Sequence, residues 1–329
     1  MAAPLSKAES SYLSTGLLLS ERADGRSLLD YRPITLATGV VPSANGSARA
    51  RVGDTDVLVA VKLDAVRLDD VVDGDDERQE GKAQFVCSVE CSPSALPHLP
   101  TDTLPDLSSD LTTLLSYYLS LPSLLPLRQL LIVPRRRAWQ LSVDALLLSY
   151  GGNVTDVLFA AVRAALWDLR VPKTRNFVYD TPDAADSALG PGLGGFRIER
   201  AGVLDHARGL RRPEAADFEL EDGSDEGVPL EGRELLPVCI TLNLLTPIFY
   251  LDALPAEEAC TPCRVILFVR PSGALCGLHR VGDSEIMPAE LKQVLHEAVK
   301  HGQELAKALN DRLRDPKIAS LGSNLGAFS

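Results

Sequence analysis

Apolar positions recur along the chain with two periods, and the switches between them mark its elements. Over 6–19, Leu5, Ala8, Tyr12, Leu13 and Gly16 share one helical face, and Ser6 with Glu9 three residues later spells a capping box. Beyond the tight-turn triplet Asp24-Gly25-Arg26 the period shortens to that of strands. Ile34–Val41, Ser47–Val52 and Val57–Val61 are divided by Asn45-Gly46 and Gly53-Asp54-Thr55, which predicts a three-stranded antiparallel meander. Gln84–Val89 is a further strand. Four prolines, at 93, 97, 100 and 105, mark a loop.

Helical spacing returns over 106–120, where Leu107, Leu111, Leu114, Leu115, Tyr118 and Leu119 form one stripe. Leu130–Val133 and Trp139–Leu148 predict a hairpin turned by Pro134-Arg135-Arg136-Arg137. A helix over 154–169 follows Gly151-Gly152-Asn153, with Val157, Leu158, Ala161, Ala165 and Leu166 inward and Pro172 ending it. The later part repeats the plan more briefly. Leu236–Leu242 pairs with Pro247–Leu251, Arg264–Arg270 pairs with Ala274–Val281, and a helix from Pro288 to Leu313 closes the pattern.

Between these halves, 181–233 is rich in Gly, Pro, Asp and Glu with little periodicity, and is expected to be a mostly solvated insertion. The chain therefore divides into an N-terminal helix and turn (1–30), a first β-α domain (31–180), the insertion (181–233), a second β-α domain (234–315) and a patternless tail (316–329). The expected class is α+β, with helices covering one face of each sheet.

Charge changes this picture at one point. The net charge of −12 argues against a surface that neutralises phosphates. However, residues 64–110 hold 12 acids against 3 bases and 214–234 hold 9 against 1, so the remaining chain is near +5. The excess acid belongs to two segments, and an RNA path through the rest is not excluded. No apolar run approaches the ~20 residues of a membrane-spanning helix. Leu17-Leu18-Leu19 is too short for a signal peptide, so an intracellular protein with free cysteines is expected. Cys260 and Cys263 have half-zinc-site spacing, but no second half-site exists, so no metal is expected.

Three clusters are candidates for chemistry. Gly151-Gly152-Asn153 before a helix suits an anion, but a turn with Asn153 as N-cap is the reading the residues favour. Asp252, Glu257 and Glu258 near a strand end suit a divalent metal or acid–base pair. A solvated loop is the expectation there. Arg135, Arg136 and Arg137 beside Trp139 form a small basic patch fit for RNA phosphate or a partner's acidic surface, and a solvated turn explains it equally well.

Several motifs together resemble the RNase PH family. They are Asp24-Gly25-Arg26, Tyr31-Arg32-Pro33, Gly46-Ser47-Ala48-Arg49, Gly53 to Val59, Tyr150-Gly151-Gly152-Asn153, Val171-Pro172 and Val281-Gly282. The resemblance covers 5–180 and 235–312. It implies an RNase PH-like fold of two β-α domains with mixed sheets covered by helices. It also implies kinship with the non-catalytic ring subunits of the RNA exosome core. Active members degrade RNA 3′-to-5′ by phosphorolysis, holding phosphate with a Thr or Ser and an Arg after the Gly-Gly turn. Here that place is Val154 or Thr155. Active members carry two aspartates six apart where this chain has Asp252 and Glu258, and arginines on the helix that here spans 106–120 and has none. The resemblance thus implies an inactive paralogue without cofactor. Its implied partners are other RNase PH-like subunits in a six-membered ring, cap subunits with RNA-binding domains, a hydrolytic nuclease, and single-stranded RNA in the channel, with no membrane. Its implied locations are nucleus, nucleolus and cytoplasm.

Overall fold

The computed structural model describes residues 5–67, 85–120, 127–133, 136–178, 197–198, 217–221, 227–282 and 284–315. The acidic stretch 68–82, Arg135, much of the insertion and the tail lie outside them.

Helix α1 (Lys7–Leu18) is capped as the sequence predicts: the Ser6 N–H donates to the Glu9 carboxylate and the Glu9 N–H to Ser6 Oγ. The first sheet contains β1 (Ile34–Thr38), β2 (Gly46–Val52), β3 (Thr55–Arg67) and β4 (Phe85–Cys91). After α2 (Leu104–Leu119) and the single turn α3 (Leu127–Leu130), β5 (Leu131–Val133) and β6 (Arg137–Ser149) complete it. Its order is β1-β2-β3-β6-β4, with β5 beside β6; only β4 runs parallel to its neighbour. Next come α4 (Val154–Asp168), β7 (Arg170–Val171), β8 (Thr174–Val178), β9 (Arg197–Ile198), β10 (Asp217–Leu220) and β11 (Val228–Pro229). The second sheet is antiparallel, ordered β13 (Ile248–Leu251), β12 (Val238–Leu245), β14 (Cys263–Val269) and β15 (Leu275–Gly282). Helix α5 (Pro255–Cys260) precedes β14, and α6 (Pro288–Leu313) ends the fold. No described helix is long and apolar enough to cross a membrane.

The sequence predicts α4 as a one-faced helix, but it is buried nearly all round: Phe159, Val162 and Ala164 are inside along with the expected stripe. It lies between layers, packed on β2 and β3 on one side and on β12 on the other. A helix apolar on every face requires such a place. The small residues of β2 admit it closely. A Cβ built on Gly46 would stand 2.6 Å from the Ala165 carbonyl oxygen. Strand β12 is buried along almost its whole length because α4 and α6 both pack on it. Tyr118, Phe159 and Phe268, from α2, α4 and β14, meet with centroids 4.8–5.0 Å apart and tie both sheets to one core. Arg163 is also inside this layer. It donates to the Leu236 carbonyl at 2.6 Å and to Asn310 Oδ1 at 2.5 Å, binding α4 to α6, and burial lowers its pKa to about 10.

Within 181–233, expected to be a mostly solvated insertion, the described residues include short strands. Strand β10 pairs with β8, β8 with β9, β11 with β7, and Leu230 is buried in the core. Strands β9, β10 and β11 have two to four residues and pair only with the short strands β8 and β7, so no period marks them. Arg137 is not a turn residue: it opens β6, opposite Arg67 of β3.

Candidate functional site

Asp252 and Glu258 reach Asn153 beside the Gly151-Gly152 turn at the entrance to α4, and Glu257 is held nearby in the chain by Arg22. Far from being a solvated loop, this place is buried, with Asp252 fully inside and Glu257 1% exposed. Each carboxylate has an arginine. Arg32 forks onto Asp252, Nε to Oδ2 at 2.8 Å and Nη2 to Oδ1 at 2.7 Å, while its Nη1 donates to the Gly151 carbonyl at 2.6 Å. Arg26 adds a second contact to Asp252 Oδ2 at 2.8 Å. Arg22 forks onto Glu257 at 2.6 and 3.1 Å and donates to the carbonyls of Leu251 and Asp252. Arg264 stands 3.3 Å from Glu258. Burial raises the Asp252 pKa, but hydrogen bonds and charge from Arg32 outweigh it and hold that carboxyl below its usual value.

The arginines explain why 20–33 has little regular structure. This segment passes the end of β13 and is held mostly by side chains, with one backbone bond among the anchors. The Leu251 N–H donates to the Leu28 carbonyl, and the Arg32 N–H to Asp252 Oδ2. Sequence reading missed Arg22, Arg26, Arg32 and Arg264 as partners. For the first three the only signal was the density of arginines in 22–32, and their targets lie some 220 residues or more away; Arg264 lies six residues from Glu258.

Asn153 occupies the N-cap position of α4 but does not cap it. With φ 55° its side chain turns inward, and Nδ2 donates to Asp156 at 3.0 Å and Asp252 at 3.1 Å. Its backbone N–H is taken by Glu258 Oε1 at 2.8 Å, and Tyr150 OH donates to Glu258 Oε2 at 2.7 Å. The protein's own carboxylate therefore occupies the entrance of α4, where a helix attracts anions. Val154 is buried in apolar surroundings. Thr155 instead lines a cavity of about 580 Å³ between α2 and the second sheet, with Thr113, Tyr117, Arg264, His279 and Arg280 also on its walls. No group of three metal-ligating side chains occurs among the described residues. All six cysteines are free.

Asp156 accepts from Asn153, from Thr241 at 2.7 Å and from Tyr31 at 3.1 Å. Burial nevertheless raises its pKa from 3.8 to about 6, against the pull of these bonds. A carboxyl that binds its proton more tightly when folded favours the folded state in acid, and that contribution is lost as pH rises from 3.8 to about 6. Asp156→Asn is expected to remove this slope. Urea unfolding at pH 4 and pH 7 should show the variant gaining on the native chain by on the order of 3 kcal/mol between the two. A pH-independent difference between them would contradict the assignment.

Residues 30–172 match the RNase PH profile, described as 3′ exoribonuclease family, domain 1. The protein of Dictyostelium discoideum named "Putative exosome complex exonuclease RRP42" is 23% identical, over 94% of this chain and 98% of its own. "Exosome complex component rrp42" of Schizosaccharomyces pombe is 26% identical, over 79% of this chain and 76% of its own. A chain of the solved Archaeoglobus fulgidus exosome with RNA bound to the active site shares the fold, with a TM-score of 0.65 at 19% identity, over 92% of this chain and 98% of that one.

Proposed function

From the match of residues 30–172 to the RNase PH family we propose that the chain is a non-catalytic subunit of an exosome-type ring of six RNase PH-like subunits. Its work is to form part of a channel wall through which single-stranded RNA passes for 3′-to-5′ processing and degradation. The names of its relatives support the ring. The partners on this reading are neighbouring RNase PH-like subunits, cap subunits with RNA-binding domains and a hydrolytic nuclease. Its places of work are nucleus, nucleolus and cytoplasm. Strands β4 and β15, which end their sheets, offer edges for pairing.

One observation carries the non-catalytic half of the reading: Glu258 accepts the Asn153 N–H at the entrance of α4. Phosphorolysis requires a phosphate bound and charge-neutralised for attack. Here a carboxylate stands in that place, and Arg264 is engaged by it. Val154 is packed into the core, and α2 contains neither lysine nor arginine.

The rival reading is an active phosphorolytic exoribonuclease, and the basic wall of the 580 Å³ cavity favours it. The two readings separate when the purified chain, alone and with a ring partner, is incubated with inorganic phosphate and a 3′-tailed RNA. No nucleoside diphosphate is expected above a no-protein control, and its appearance overturns the non-catalytic reading. A tagged chain is expected to co-purify with other RNase PH-like subunits. Recovery as a lone monomer removes the ring.

A further inference from the structure

We propose that the acidic strand β10 is an internal competitor for single-stranded RNA, occupying a basic and aromatic patch at the start of β6. The proposal rests on the reading above that this chain works beside RNA. It concerns the start of β6, whereas the α4 entrance follows that strand's other end.

Strand pairing puts Arg137 directly opposite Arg67, so two guanidiniums share one face at the end of the β3–β6 ladder. Like charges placed so are mutually unfavourable unless an anion joins them. Arg137, one of the two, meets an anion supplied from within. Asp217 Oδ1, the first residue of β10, stands 3.1 Å from Arg137 Nη1. The next residue, Phe218, lies under the Arg137 guanidinium at 5.3 Å and meets Trp139 edge-on at 6.2 Å. An anionic group on arginine followed by a flat ring between arginine and tryptophan is also how a nucleotide binds such a patch, with phosphate on the cation and base on the aromatic. Strand β10 thus presents the chemistry of one nucleotide to the patch.

The competitor is set up to be displaced. Its ion pair is half-exposed, with Arg137 at 27% and Asp217 at 47%, so it is weak and salt-sensitive. The strand spans four residues and is joined to the body through β8. Glu221 pairs with Arg175 of β8 at 3.4 Å, also in the open, so the same acidic run engages a second arginine. The surrounding segment 214–234 supplies the −8 that the sequence concentrates there. On this account the acidic insertion lowers the affinity of the isolated chain for RNA. A strand held more strongly by a ring neighbour yields the patch to it.

The test uses the full chain and a fluorescein-labelled single-stranded oligoribonucleotide, with anisotropy titrations across a salt series. Asp217→Asn frees Arg137 while leaving the backbone pairing of β8 and β10 in place. It is expected to tighten binding severalfold and to steepen the dependence of log K on log salt by about 0.7, the contribution of one added phosphate contact on a single strand. Asp102→Asn makes the same charge change on a distant exposed site and is expected to leave the slope unchanged. Adding Arg137→Gln to Asp217→Asn should cancel the gain. The proposal fails if Asp217→Asn behaves like Asp102→Asn, if the gain survives loss of Arg137, or if no variant binds RNA. Ring membership is read separately by co-purification, so either idea can fail without the other.

Discussion

Arg32→Ala is expected to destabilise the protein by about 3–5 kcal/mol, the range for removing one partner of a buried ion pair. The side chain supplies both bonds of the fork on Asp252 and a third to the Gly151 carbonyl. Without it a fully buried carboxylate keeps Arg26 and Asn153 as donors, which places the cost toward the lower end. Urea midpoints measure it. A lysine at 32 restores the charge but not the fork, and should recover less than half of the loss. The loss is also acid-dependent. The Asp252 pKa is lowered in the fold, so its contribution is present above 3.8 and disappears as pH falls through its folded value. Native chain and Arg32→Ala should therefore converge in stability as pH drops through that range. A difference below about 1 kcal/mol at neutral pH would show that the arginine is not what holds the 20–33 segment down.

The second large effect is expected at the turn that Arg32 grips. Gly152 has φ +86°, and a Cβ there would lie 2.3 Å from the Ala253 carbonyl oxygen, 2.9 Å from the Leu254 carbonyl carbon and 3.0 Å from Pro255 N. All three are backbone atoms, so no side chain can swing aside. Gly152→Ala should cost about 2–5 kcal/mol, combining the left-handed backbone with overpacking. Gly25→Ala is the control, because Gly25 has a similar φ of +74° with nothing within 4 Å of the added carbon. It isolates the backbone contribution, expected at about 1–2 kcal/mol. Equal losses at the two sites would show that the approach of 252–255 to the turn is not tight.

These sites show where the sequence was informative. Alternation in β1, β2 and β3 and the glycine turns between them made the meander legible, and Pro288 and Leu313 bound α6 as predicted. The buried line of α6 runs through Val294, Ala298, Gly302, Ala306 and Leu309. Val294, Ala298 and Leu309 stand on the apolar stripe legible in the sequence, whereas Gly302 and Ala306 gave no such signal; Gly302 lets Val269 of β14 come close. The cluster Asp252, Glu257 and Glu258 was legible as a candidate, but its state was not. Whether a carboxylate meets water, metal or arginine depends on what the fold brings from 220 residues away. Arg22 and Arg32 carry no spacing that names their partners. Asn153 misled for a related reason. Its residue type suits a cap, yet the Asp252 and Asp156 carboxylates claim its amide first.

Helix α4 has a consequence for the order of events in synthesis. One side of it is covered by β2 and β3, which precede it on the chain, but the other waits for β12. About 70 residues separate the end of α4 at Asp168 from the start of β12 at Val238. At a translation rate of roughly 5–20 residues per second, that face stays uncovered for about 4–14 seconds on every nascent chain. Arg163 waits longer still, since Asn310 lies beyond β12 on the chain. The first half is thus not a unit that can finish folding by itself, and chains arrested before β12 expose an apolar helix face. Such chains are natural clients for chaperones.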